Sequence, residues 1–226
     1  MRSKQMGFQV PEFLENPENR CPVLLILDVS ASMQGTPIEA LNEGLAEFKF
    51  DVEQDALAAL RVEVCLVTFG SVVKQLQSFV TIDDFTPPVL DAAGKTPMGE
   101  AIEKGLEALE NRKKTYHEQG IGYYRPWVFL ITDGAPTDPE VWEQAIRKVH
   151  RLERDNRLTF FAVGVEGADR DILAKLASPG RTPFFLKDLK FKELFRWVSA
   201  SVKRVSMGRV GNGAMMALPP VSDWAA

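Results

Sequence analysis

The chain has 226 residues, 45% of them hydrophobic and 26% charged, with a formal net charge of −4. This is the balance of a globular protein with one large α/β domain, or at most one and a half smaller ones, and the lack of a basic excess argues against nucleic acid as a partner. No apolar stretch approaches the roughly 20 residues needed to cross a membrane, so no membrane partner is expected either.

Residues 1–20 read as an irregular lead-in, because Pro11, Asn16, Pro17 and Asn19 oppose a long helix. This segment lacks the apolar core of a signal peptide, which makes a cytoplasmic location the expectation. Cys21 and Cys65 stand outside any Cys-x-x-Cys pattern and read as reduced thiols. Val23 to Leu27 is a short apolar run without a polar face, the mark of a strand buried on both sides of a parallel sheet. Thr36-Pro37-Ile38-Glu39 carries the signals of a capped helix start: a capping Thr, a Pro at the first helical position and a Glu that completes a capping box. Ile38, Leu41, Leu45, Phe48 and Val52 then form one apolar stripe.

Val62 to Phe69 is the second strand. Ser71 to Val80 alternates around Val73, Leu76 and Phe79 and suits an exposed edge strand, hairpinned through Gly70-Ser71. A Pro- and Gly-bearing loop, 83–95, leads to Thr96-Pro97, a second Thr-Pro helix start, with Met98, Ile102, Leu106 and Leu109 as its stripe. Arg112 to Arg125 is basic and aromatic and reads as a solvated helix end or a partner-facing loop. Trp127 to Thr132 is a strand ending in Asp133-Gly134. Asp138-Pro139 starts a helix with Val141, Ala145, Val149 and Leu152 on one face, and Leu158 to Val165 is a buried strand. Asp169 caps a short helix to Ala177, Phe184 to Leu186 is a brief strand, and Phe191 to Val205 is the last helix. The alternation predicts a doubly wound, mainly parallel sheet with one antiparallel edge strand and helices on both faces. Residues 21–206 form the domain on this reading, and 207–226, with Gly208, Gly211, Gly213, Pro219 and Pro220, a flexible or peripherally packed tail. Trp224 stands out in that tail as a large aromatic beyond any predicted element, and points to a segment that folds back or docks on a partner.

Three stretches can meet at the carboxyl edge of such a sheet, where open α/β folds bind ligands. Asp28, Ser30 and Ser32 follow the first strand, Thr96 opens a helix, and Asp133 ends the strand begun at Trp127. If the strands ending in Asp28 and Asp133 are neighbours, both carboxylates lie at a topological switch point. All five residues offer oxygen, the donor that suits Mg²⁺ or Mn²⁺. A metal held by a few hydroxyls, with carboxylates acting partly through water, keeps a position open for an acidic residue from a partner.

With these five positions in this order, the chain resembles the von Willebrand factor A domain and its metal-ion-dependent adhesion site. The likeness runs from about Pro22 to Ser206. Arg125 to Gly134 and Phe195 to Val202 look most like the bacterial TerY-like subgroup. The resemblance implies that Ser30, Ser32 and Thr96 contact the metal, with Asp28 and Asp133 in the first or a water-mediated shell. It also implies a protein partner whose Asp or Glu completes the sphere. TerY-like genes accompany stress-response clusters, including tellurium resistance, and protein kinases and phosphatases. Ala31 stands where many members have Gly, and no cysteine follows Cys65, so the cysteine-ligated C-terminal module of some members is not expected in these 226 residues.

An enzyme is not the expectation. Position 30 is Ser, where an Asp-x-Asp phosphotransferase needs a second Asp. Gly94-Lys95-Thr96 lacks the upstream Gly and preceding strand of a P-loop. His117 and His150 lie in polar sequence and read as solvated surface, which leaves the hydroxyls without a base. The alternative reading is a metal-dependent hydrolase or phosphatase that uses Asp28 and Asp133.

Overall fold

The computed structural model describes residues 13–177, 181–208, 210 and 219–225. In chain order the elements are β1 (Cys21–Asp28), α1 (Thr36–Glu53), α2 (Ala56–Arg61), β2 (Val62–Phe69), β3 (Lys74–Thr81), α3 (Met98–Glu118), β4 (Trp127–Thr132), α4 (Pro139–Arg154), β5 (Thr159–Gly164), α5 (Arg170–Leu176), β6 (Phe184–Phe185) and α6 (Phe191–Ser206). The strands form one sheet in the order β3-β2-β1-β4-β5-β6, parallel throughout except for β3, which runs antiparallel to β2 at the edge.

Every residue of β1 and β2 is buried. Side chains alternate across a strand, so Val23, Leu25 and Leu27 enter one core layer, with Leu41, Leu45 and Phe48 of α1 and Leu194, Phe195 and Val198 of α6. Leu24 and Ile26 enter the other, with Ile102 and Leu106 of α3 and Ala145 and Val149 of α4. A strand that feeds two apolar layers has no polar face, as its sequence shows. On the α3/α4 side the helices approach closely at their starts. A Cβ on Gly99 would lie 2.4 Å from the backbone nitrogen of Trp142, so only Gly lets these two backbones pass.

Three local expectations change. Thr36 does not cap α1. The capping position is Gly35, at φ +82°, with no side-chain cap bond, and Thr36 is already helical. Thr96 does not cap α3 either, since Pro97 stands at the capping position. The third change is α2, six residues too short to show a periodic stripe. Asp55 caps it by accepting from Leu57 N and Ala58 N.

The Arg112–Arg125 stretch ends α3 in solvent at His117–Gly120, but several of its basic and aromatic residues turn inward. Tyr116 is fully buried, and Lys113 and Tyr124 are nearly so. Lys113 pairs with Glu110, the Tyr124 hydroxyl donates to a carbonyl at the end of α6, and Tyr116 meets a buried carboxylate of β2, Glu63. Arg20 donates to Glu63 Oε1 at 2.9 Å, Arg112 to Oε1 and Oε2 at 2.7 and 2.8 Å, and the Tyr116 hydroxyl to Oε2 at 2.5 Å. Both guanidinium groups lie 4.9 Å from the ring centroid of Phe13. Burial, then the Glu63 charge, holds the Tyr116 hydroxyl well above the usual tyrosine range.

Trp127 and Trp197 are core residues, stacked with centroids 6.3 Å apart. Trp224 is buried beside them, its ring 5.1 Å from that of Phe184 and 5.5 Å from that of Trp197. Ala225 bridges antiparallel to Leu186, and Lys187 N donates to Trp224 O at 2.9 Å. Arg209, 211–218 and Ala226 of the expected tail, and 1–12 of the expected lead-in, lie outside the described residues. His117 is exposed. His150 is half-buried, and its Nε2 is enclosed without a hydrogen-bond partner among the described residues.

Candidate metal centre

The strands ending in Asp28 and Asp133 are direct neighbours. Their parallel register pairs Leu27 with Ile131, which sets the last residues of β1 and β4 side by side at the carboxyl edge. This is the sheet's switch point, because the chain leaves β1 toward β2 on one side and reaches β4 on the other.

Asp28, fully buried at the end of β1, has both oxygens engaged. Oδ1 accepts the backbone N–H of Ser30 at 2.8 Å, and Oδ2 accepts the Thr132 hydroxyl at 2.5 Å. A 3₁₀ turn at Ala31–Met33 then brings Ser30 and Ser32 onto one side, with their hydroxyls 3.0 Å apart. The Ser32 hydroxyl donates to Asp133 Oδ1 at 2.8 Å. That commits its single proton, so Ser30 donates to Ser32. Thr96 comes from the third loop. A Cβ at Gly134 would sit 3.3 Å from Thr96 Oγ1 and 3.8 Å from Asp28 Oδ2, so both side chains border this glycine.

Backbone bonds hold the three loops together. Ala93 N donates to Val29 O at 2.7 Å, Ala31 N to Gly94 O at 3.1 Å, and Thr137 N to Thr96 O at 2.9 Å. Gly70 permits this packing, since a Cβ there would lie 2.5 Å from Ala93 O and 2.6 Å from Val29 O. All five residues singled out in the sequence therefore come together: Asp28, Ser30 and Thr96 buried, Asp133 half-buried and Ser32 exposed. A buried inner wall with an exposed rim is the form of a site that opens to an outside ligand.

Burial pushes the Asp28 carboxyl above its ordinary value. The hydrogen bonds from Ser30 and Thr132 oppose that rise, and the nearby Asp133 charge adds to it. Two neighbouring carboxylates, one of them buried, make an anionic centre in need of a countercharge. A hard cation fits this donor set of three hydroxyls and two carboxylates. Among the described residues no group of three or more His, Cys, Asp and Glu could hold a metal, so the hydroxyls are essential to any such site. The Ser30 and Ser32 hydroxyls bond to each other and to Asp133, not to a histidine.

Two contributors escaped the sequence reading. Thr132 looked like the last residue of a strand, and its one signal was a hydroxyl closing an apolar run. Asp138 marked the start of α4, yet its carboxylate serves α3 by accepting Gly99 N at 3.2 Å and Glu100 N at 2.8 Å.

Solved structures share this fold at low identity. The vWF domain of the type V pili tip protein Mfa5 from Porphyromonas gingivalis aligns at TM-score 0.62 and 10% identity, over 85% of this chain and 97% of that one. Proximal thread matrix protein 1 from the mussel byssus, with a zinc-occupied MIDAS motif, aligns at TM-score 0.54 and 16% identity, over 81% and 47%. The manganese-loaded TRAP protein of Plasmodium vivax aligns at TM-score 0.50 and 18% identity, over 79% and 74%. The chain spans about half the length of the mussel protein. No curated protein matches the chain. Residues 23–197 match the family model of the von Willebrand factor type A domain, and the chain belongs to that family.

Proposed function

We propose that this protein is a divalent-metal-dependent, non-enzymatic protein-binding module. The observation that carries this reading is the convergence of three hydroxyls and two carboxylates from separate loops at the switch point between β1 and β4. Ser30, Ser32 and Thr96 would hold Mg²⁺ or Mn²⁺ through their oxygens, with Asp28 and Asp133 holding it directly or through water. The bound metal supplies an electrophilic centre with a coordination position for an Asp or Glu of a protein partner. Two fold relatives, the mussel protein with its zinc-occupied MIDAS motif and the manganese-loaded TRAP protein, support a cation-binding reading.

The resemblance of Arg125–Gly134 and Phe195–Val202 to TerY-like proteins supports a bacterial, cytoplasmic scaffold in a stress-response or signalling complex, with a protein kinase or phosphatase as candidate partners. No helix among the described residues is long and apolar enough to cross a membrane.

The test is a pull-down from bacterial lysate with Mg²⁺ and with EDTA, beside Asp28→Ala. A partner retained only by the wild-type chain with metal supports the reading. One held equally in EDTA and by the variant assigns recognition to another surface.

A further inference from the structure

We infer that Thr132 is a positioning residue that sets the geometry of both carboxylates of the metal site; this rests on the metal-binding reading above. Thr132 closes β4 after the apolar run Trp127–Ile131 and is fully buried. The Leu27–Ile131 pairing places it beside Asp28. Its Oγ1 accepts the N–H of Gly134 at 3.1 Å and lies 2.5 Å from Asp28 Oδ2.

The direction of these bonds follows from proton count. A threonine hydroxyl has one proton and two lone pairs. Gly134 N–H takes a lone pair, and the Thr132 proton goes to Asp28. The relay therefore runs from Gly134 through Thr132 to Asp28, and ends on a carboxylate that acts only as acceptor. Oδ1 of the same carboxylate accepts Ser30 N–H at 2.8 Å. With both oxygens anchored, the Asp28 carboxylate has no free rotation. The hydroxyl also holds the backbone of Gly134, the residue after Asp133, so one side chain fixes Asp28 and the turn that presents Asp133. Valine has the shape of threonine and would fill the same buried space, but it makes neither bond. The hydroxyl is thus the part of this residue that the site requires.

The test is a Mn²⁺ titration of the wild-type chain and of Thr132→Val, Thr132→Ser and Thr132→Ala, by calorimetry or by electron paramagnetic resonance of free Mn²⁺. Circular dichroism checks that each variant is folded. Removing an outer-shell partner of a metal ligand typically weakens binding by about 10- to 100-fold, and we expect that loss in Thr132→Val. Thr132→Ser should bind as wild type does. The Ser and Ala variants both lack the methyl group and differ in the hydroxyl alone, so this pair decides the question if the Val variant does not fold. Equal Mn²⁺ affinity in Thr132→Ser and Thr132→Ala, or wild-type affinity in a folded Thr132→Val, overturns the inference and leaves the metal reading intact. A wild-type chain that takes up no Mn²⁺ overturns that reading, and this inference with it.

Discussion

The Asp138 carboxylate accepts the backbone N–H of Glu100 at 2.8 Å, so a residue that begins one helix caps another. Its second oxygen accepts Gly99 N at 3.2 Å. These are first-turn donors of α3 with no partner inside their own helix. The adjacent Thr137 N–H donates to Thr96 O at 2.9 Å. The loop after β4 thus grips the start of α3 on both sides of Pro97, and Thr96 is held where its hydroxyl reaches the Asp133–Gly134 turn.

Asp138→Ala should therefore act at two levels. Loss of a helix cap costs about 1 kcal/mol, visible as a lower urea midpoint. Mn²⁺ affinity should fall as well, because the start of α3 just after Thr96 loses one of its two holds and keeps only the Thr137 bond. Unchanged stability would show that water replaces the carboxylate without loss.

Gly94→Ala should disturb the same loop from its other side. Gly94 has φ +90°, and a Cβ there would lie 2.2 Å from Ser71 N. Alanine meets both a strained backbone and a backbone clash, so the loss should exceed about 1 kcal/mol. Thermal unfolding measures this, and a weaker Mn²⁺ response should accompany it.

Asp28→Asn should separate stability from function. Burial raises the Asp28 carboxyl above the ordinary 3.8, against the bonds from Ser30 and Thr132. The folded chain then binds this proton more tightly than the unfolded one. Its contribution to metal-free stability is present below the unfolded pKa and lost as pH rises through the folded one. The asparagine variant should lack that slope, and its amide nitrogen cannot accept the Thr132 proton, so it should melt no higher than wild type at neutral pH without metal. Saturating Mn²⁺, at about 100 times its dissociation constant, should add about 2.7 kcal/mol to wild type and nothing to the variant. Metal-free melts across the acidic range, repeated with Mn²⁺, check both halves.

Glu63→Ala should be among the most damaging single changes. It strips the shared acceptor from Arg20, Arg112 and Tyr116 and leaves buried positive charge. Breaking a buried pair from one side costs about 3–5 kcal/mol. Chemical denaturation should show this, with no effect on Mn²⁺ affinity in whatever remains folded, since Glu63 is the second residue of β2, at the end of the sheet away from the metal site.

Trp224→Ala and Trp224→Phe should differ. The ring packs on Phe184 and Trp197, while its indole N–H meets no acceptor among the described residues. Truncating a buried Trp to Ala costs about 3–5 kcal/mol, here felt as release of 219–225 and faster proteolysis. Phenylalanine keeps the ring contact and gives up no hydrogen bond, so it should protect the segment nearly as well.

The reach of the sequence reading follows the range of the forces involved. Strands β1, β2 and β4 were legible because two-sided burial leaves a continuous apolar run, which short windows reveal. Asp28, Ser30, Ser32 and Asp133 were legible because they follow such strands directly, and the sheet delivers strand ends to one edge. Their convergence needed one fact that no local pattern contains, the pairing of β1 with β4. Folding overruled the local pattern at Thr36, where Gly35 turns the chain instead, and at Thr96, whose helix takes its cap from Asp138. The bond of Thr132 to Asp28 spans 104 residues, and that of Tyr116 to Glu63 spans 53. Polar groups so far apart in the chain choose their partners only when the backbone brings them within 3 Å in a place without water. A threonine at the end of a strand, or a tyrosine in a basic helix, carries no mark of that choice beforehand.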